Sequence, residues 1–250
     1  LRYIDGCPHG QNPRITGGIM GEYTSIDVPD GNFRAYLARP TSAASGKAIV
    51  VIQEIFGIND DMRAICDHFA QHGFTAICPD LYWRQEPNVE LTDKSDAEWQ
   101  KALALYQAFD VDAGVGDLDA TIQFTRRLDG VTGGVGTVGY CLGGLLAFLT
   151  AVRTNAEAAV SYYGVGIDKH LGEAATFTTP LLMHIAEEDE FVPPEARARI
   201  VAVLSDKPNV EIHTYPGCMH AFARNQGVHY VADAAKRANA QTLSFFQAMP

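Results

Sequence analysis

Six short and almost unbroken apolar runs, at residues 48–52, 74–78, 135–138, 158–163, 181–185 and 210–215, alternate with helix-like stretches at 61–72, 113–128, 142–153, 194–204 and 231–249. Strands this uniformly apolar must be covered on both faces, and strands separated by helices pair in parallel. The chain is therefore expected to form a mainly parallel sheet with helices on both faces. Ahead of that pattern, residues 23–28 and 33–38 flank the turn pair Asp30-Gly31, which predicts an antiparallel hairpin. No repeat, low-complexity tract or linker divides the chain, so residues 1–250 read as one domain. Its first 21 residues, with Pro8, Gly10, Pro13, Gly17 and Gly18, read as an irregular arm.

Within this pattern GYCLGG, from Gly139 to Gly144, closes the third apolar run and opens a helix. That is the strand, tight turn and helix of a nucleophile elbow, with cysteine where G-x-S-x-G carries serine. The expected arrangement is accordingly that of an α/β-hydrolase fold with an N-terminal hairpin. A free cysteine is ordinarily a small buried hydrophobe. At this turn the neighbouring helix N-terminus favours thiolate over thiol, so Cys141 is the first candidate for the reacting atom.

Composition narrows the partners. Lys and Arg number 19 against 30 Asp and Glu, a formal net charge of -11, which argues against nucleic acid or an anionic membrane and requires a local basic site for any anionic substrate. Cys7, Cys66, Cys78, Cys141 and Cys218 are odd in number, widely spaced and without C-x-x-C, so neither a disulfide framework nor a zinc ribbon is expected. A reducing, cytoplasmic setting and a monomer are the expectations, with no membrane span, no basic-then-apolar leader, no cofactor and no metal.

An elbow cysteine needs a base, and hydrolases of this fold carry nucleophile, acid and histidine in that chain order. Asp189 follows the apolar run 181–185 and His220 follows the run 210–215. Loops after the carboxyl ends of strands are where α/β sheets build sites, so Cys141, Asp189 and His220 are expected to converge. Glu187, Glu188 and Glu190 leave the identity of the acid open. His184 and His213 lie in strand patterns and read as packing residues, while His68, His72 and His229 read as exposed helix positions.

Several separate segments carry a resemblance: VIQEIFGIN (51–59), CPDLYWRQ (78–85), YQAFD (106–110), AGVGDL (113–118), VGYCLGG (138–144), YYGVG (162–166), DEFVP (189–193) and HAFAR (220–224). From about residue 48 to residue 246 the chain resembles the dienelactone hydrolases. The resemblance implies an α/β-hydrolase fold, a Cys-His-Asp triad, and opening of a small anionic lactone, 4-carboxymethylenebut-2-en-4-olide, to maleylacetate in the breakdown of chlorinated aromatics. It also implies that Glu54 is the carboxylate that activates the cysteine, and that Arg84 and Arg224 clamp the substrate carboxylate. The backbone N–H groups of Ile55 and Leu142 match the fold's oxyanion donors. Phe56, Tyr162, Tyr163 and Phe222 are candidates for an apolar wall, although aromatic residues at such positions serve as core just as often. Two departures bear on substrate range: Ala221 follows the histidine where the family commonly has serine, and Trp83 beside Arg84 is expected to reshape the pocket mouth. Two other functions remain open, a broader cysteine-dependent esterase or thioesterase and a non-enzymatic thiol sensor or binding protein, the latter requiring a resolving cysteine near Cys141.

Overall fold

The computed structural model describes residues 21–40, 44–225 and 227–250. The arm expected over 1–21 lies, but for its last residue, outside them. Strands β1 (Gly21–Val28) and β2 (Gly31–Ala38) form the expected hairpin, extended by two residues at its start and through the turn. They are followed by β3 (Ala48–Ile52), α1 (Asp60–Gln71), β4 (Thr75–Pro79), α2 (Asp96–Gln107), α3 (Val111–Arg126), β5 (Val135–Tyr140), α4 (Leu142–Arg153), β6 (Ala158–Tyr162), β7 (Leu181–Ala186), α5 (Pro194–Leu204), β8 (Val210–Tyr215) and α6 (Ala232–Gln247). The strands form one eight-stranded sheet in the order β1-β2-β4-β3-β5-β6-β7-β8. β2 joins the hairpin to β4 antiparallel, and every pairing beyond it is parallel. This is an α/β-hydrolase fold with the predicted N-terminal hairpin.

Every residue of β3, β4, β5, β6 and β7 is buried. Their uninterrupted apolar sequence is thus explained by helices covering both sheet faces. α1 and α6 meet through Phe69 and Phe246, whose rings lie 5.8 Å apart. α4 is apolar all round and buries Leu142 to Ala151 without a break, as a helix packed between sheet and neighbour must. At the other end of the sheet β8 is half exposed, which accounts for the polar alternation of Glu211 and His213 in an otherwise apolar run.

Register determines where the site can form. β3 and β5 are parallel neighbours with Ile52 opposite Gly139, so Glu54 and Cys141, each two residues further on, leave the sheet at the same level. β7 and β8 pair with Ala186 opposite Tyr215, which sends the loops carrying Asp189 and His220 out of the same carboxyl edge. The chain steps from β3 to β4 on one side and to β5 on the other, the reversal at which open α/β sheets leave a crevice.

Candidate active site

Cys141 sits at φ 56° and ψ -113°, between the last residue of β5 and the first of α4. A non-glycine residue tolerates that conformation only when its surroundings impose it. They do so through two glycines. A Cβ on Gly139 would lie 1.8 Å from the carbonyl oxygen of Gly143, and one on Gly143 would lie 2.4 Å from the oxygen of Ile52. Strand, turn and helix can therefore meet only in this sequence, and the Cys141 N–H is anchored to the Tyr162 carbonyl at 3.1 Å. Tyr163 and Ala221 also have positive φ, 38° and 61°. Three of the four strained non-glycine residues in the described chain thus belong to the surroundings of one imidazole.

That imidazole is His220. Its Nδ1 lies 2.9 Å and 3.1 Å from the two carboxylate oxygens of Asp189, and both side chains are about 4% exposed or less. Glu190 reaches only the backbone N–H of His220, at 3.4 Å, so Asp189 is the carboxylate that faces the ring. Nε2 is buried without a hydrogen bond of ordinary geometry and is left to the sulfur of Cys141, which lines the same cavity. Burial alone would disfavour the imidazolium, but the charge of Cys141 and the Asp189 hydrogen bond overcome it and raise the pKa to about 10. Tyr163 packs edge-on against the ring at 5.1 Å and Phe191 does so from another side at 4.9 Å. His229 lies in the loop before α6, not in a helix, and its Nδ1 lies 3.1 Å from the His220 carbonyl oxygen.

Glu54 is 2% exposed and its Oε2 accepts from Arg224 Nε at 2.7 Å, while Oε1 has no partner among the described residues. Arg224 Nη1 donates to Asp93 at 2.7 Å, and its guanidinium lies 5.0 Å above the Phe56 ring. Burial opposes the charge on Arg224, but the charge and hydrogen bond of Glu54 hold its pKa well above the ordinary value. Removing one partner from a buried pair of this kind costs about 3–5 kcal/mol, because the other charge is stranded. The amide N–H groups of Ile55 and Leu142 carry no hydrogen bond among the described residues; Ile55 lines the cavity with Cys141, and Leu142 follows the cysteine in the chain.

A cavity of about 50 Å³ over the sulfur is lined by Ile55, Trp99, Leu103, Tyr106, Cys141, Val165, Phe191, His220 and Arg224. Four candidate wall residues are absent from it. Phe56 underlies Arg224 and lines a neighbouring polar cavity of about 340 Å³. Tyr162 is fully buried with its hydroxyl 2.6 Å from that of Thr242. Tyr163 packs on His220, and Phe222 packs behind it on Tyr163 and Tyr215, with ring centroids 5.6 Å and 4.6 Å away. Arg84 is also placed elsewhere: it pairs with Asp117 and with Asp30, at 2.5 Å and 2.9 Å, and lies over the Trp83 ring. Trp83 donates to Asp117 at 2.8 Å and packs on Phe33, so both residues brace the hairpin and neither reaches the mouth of the cavity. Three wall residues that the apolar pattern did not single out, Trp99, Leu103 and Tyr106, come from α2, a helix it did not predict. Cys218 is buried, its thiol is pushed up by burial, and its charged neighbours are Arg237 and Glu187. No group of three or more potential metal ligands exists among the described residues, and no helix among them is long and apolar enough to cross a membrane.

Residues 33–249 match the profile of the Dienelactone hydrolase family. The chain belongs to that family. A relative in Azospirillum brasilense named "Putative carboxymethylenebutenolidase" is 47% identical over 228 residues, spanning 90% of this chain and 98% of the relative. The Pseudomonas putida protein named "Carboxymethylenebutenolidase" is 40% identical, over 91% of this chain and 96% of its own length. Among solved structures, the "Putative Dienelactone Hydrolase" of Klebsiella pneumoniae superposes with a TM-score of 0.79 at 26% identity, covering 93% of this chain and all of that one. Dienelactone hydrolase membership and the α/β-hydrolase fold therefore agree.

Proposed function

We propose that the chain is a carboxylic ester hydrolase that opens an unsaturated lactone of the carboxymethylenebutenolide kind, giving maleylacetate from 4-carboxymethylenebut-2-en-4-olide, through Cys141. The observation that carries this reading is the pairing of a strained elbow cysteine with a buried His220 held by Asp189. The names of the carboxymethylenebutenolidase relatives support the substrate class.

In the reaction the Cys141 sulfur, its proton transferred to His220, bonds to the lactone carbonyl carbon. The carbonyl electron pair moves onto oxygen, where the N–H groups of Ile55 and Leu142 receive it. Collapse restores the carbonyl and breaks the ring C–O bond. The leaving enolate takes the proton from His220 and becomes a ketone. Water then attacks the thioester, giving one proton to His220 and displacing the thiolate; the new carboxylic acid releases the second proton to solvent, so one water is consumed and one carboxylate formed while Cys141 and His220 return to their starting state. Glu54 stands ready as a second base only if Arg224 lets it go.

The test is turnover of the lactone by the wild type and Cys141→Ala, with mass spectrometry of acid-quenched wild type. An acyl adduct on Cys141 and no turnover in the variant are expected; appreciable turnover without the sulfur removes it from the mechanism. The thiol-sensor reading loses support from Cys218, which is buried and whose thiol is pushed up, the opposite of a resolving cysteine.

A further inference from the structure

The guanidinium of Arg224 is shared between two carboxylates. Nε donates to Glu54 Oε2 and Nη1 donates to Asp93 Oδ2, each at 2.7 Å. An arginine beside a carboxylate commonly closes a fork of two parallel hydrogen bonds. On Glu54 that fork is one bond short: Glu54 Oε1 is buried without a partner, and Arg224 Nη2 has no hydrogen bond among the described residues. Nη2 is not sealed in protein as Oε1 is, and Arg224 lines the cavity over Cys141. One donor of the arginine therefore stays free at the elbow cysteine's cavity.

Asp93 accounts for the open fork. Closing it would turn the guanidinium toward Glu54 and draw Nη1 off Asp93, whose side chain, like that of Arg224, is only 11% exposed. A pair so shielded from water holds far more firmly than a surface ion pair. Asp93 is also anchored independently of the arginine. In the segment leading to it, the Leu91 N–H donates to the Phe56 carbonyl at 2.8 Å and the Asn59 amide donates to the Leu91 carbonyl at 3.0 Å. Thr92 is bonded through its N–H and its hydroxyl to Glu98 in the first turn of α2, at 3.2 Å and 2.9 Å. The position of residue 93 is thus set by the loop that carries Glu54 and by the helix that follows. Asp93 lines the outer polar cavity of about 340 Å³ and is absent from the cavity over Cys141, so it acts through Arg224 and not on the substrate.

We propose that Asp93 is a positioning residue for the reaction: by holding Nη1 it keeps the Arg224–Glu54 fork from closing, so that Nη2 stays free for a substrate carboxylate and Glu54 stays free to leave. Without Asp93 the guanidinium would turn onto Glu54 through both Nε and Nη2. That movement fills the donor meant for the substrate and ties down the second base at once. The proposal rests on the reading of Cys141 as nucleophile toward an anionic lactone, and adds to it the residue that keeps the arginine available.

The test compares 4-carboxymethylenebut-2-en-4-olide with its methyl ester, which share the lactone bond and differ by one charge, so that only the acid calls on Nη2. Ring opening is followed at about pH 8, where the acid is ionised and so is Asp61, whose carboxyl burial pushes up to about 7. Asp93→Ala should lower kcat/KM for the acid about tenfold or more, chiefly by raising KM, and leave the methyl ester nearly unchanged. Asp93→Glu should restore most of the loss. Asp93→Asn keeps the side chain's shape and an acceptor for Nη1; it serves should the alanine variant fail to fold, and should show a smaller loss in the same direction. Asp61→Asn removes a charge from the same outer cavity without touching either ion pair of Arg224, and should leave the acid-to-ester ratio as in the wild type. Equal losses for both compounds, or the same selective loss in Asp61→Asn, overturn the proposal while leaving Cys141 in place. Undiminished turnover in Cys141→Ala overturns the reading on which the proposal rests, and the proposal with it. If the wild type opens neither ring, the crystal structure of Asp93→Ala decides: two hydrogen bonds between Arg224 and Glu54 support the proposal, and an unchanged single bond ends it.

Discussion

Cys141 is held in its strained conformation by residues that cannot themselves be enlarged. Gly143 has carbonyl oxygens of Ile52 and Gln53 at 2.4 Å and 2.6 Å from where its Cβ would be, and both belong to backbone. Gly143→Ala should therefore destabilise the fold by about 3 kcal/mol or more, measured by urea denaturation. A variant of wild-type stability would mean that β3 and α4 can separate at no cost and that the elbow is not under constraint. Asp189→Asn removes the charge that holds His220 while keeping its shape. A fall in kcat of about 10²-fold or more with little change in KM is expected, since the orienting acid matters most once the imidazole is charged. An unchanged kcat would pass the acid role to Glu190, whose side chain already reaches the His220 backbone.

At the scale of elements, β1 to β8 and five of the six helices were legible because unbroken apolar runs mark the buried strands and α4, and apolar stripes or turn residues mark the rest. The elbow, the acid and the histidine were legible because each follows an apolar strand directly. α2 was not. Its only buried residues are Ala102 and Leu105, and its larger side chains Trp99, Leu103 and Tyr106 are partly buried, packing on the core while also lining the cavity. Apolar residues spread over two faces do not read as one stripe. The signal that was present is the start of the helix, the S-x-x-E of Ser95 to Glu98: the Ser95 hydroxyl accepts from the Glu98 N–H at 3.3 Å as N-cap, and the Glu98 carboxylate accepts from the Ser95 hydroxyl at 3.0 Å and from the Thr92 N–H at 3.2 Å. Arg84 was misplaced for a related reason, since sequence proximity to a motif carries no information about which way a loop side chain turns. Ser95→Ala should loosen α2 by about 1 kcal/mol. The measurable outcome is faster hydrogen exchange across 96–107 with a nearly unchanged melting temperature, and unaltered exchange there would show that packing alone holds the helix.

For the whole molecule, a buried histidine held in the neutral form ties the last strands to the C-terminal helix. His184 lies in β7, with Nδ1 at 2.8 Å from the Tyr215 hydroxyl of β8 and Nε2 at 3.0 Å from Thr242 of α6. Thr242 in turn meets the Tyr162 hydroxyl of β6, so one ring joins three strands to the C-terminal helix. Burial, followed by the charges of His213 and Arg237, lowers its pKa to about 3. An unfolded histidine titrates near about 6.5, so as pH falls below that value the unfolded chain takes up a proton that the native chain refuses. The stability this neutral ring contributes is complete above about pH 6.5 and is lost as the pH falls toward 3. At about 1.4 kcal/mol per pH unit, His184 alone accounts for a loss of about 2–3 kcal/mol between pH 6.5 and pH 4.5. His184→Gln keeps a donor and an acceptor but cannot titrate. Urea midpoints at pH 7 and pH 4.5 should therefore fall less in this variant than in the wild type, by that amount. If both proteins lose the same stability on acidification, the proton is taken up elsewhere, and the sheet edge does not owe its acid sensitivity to His184.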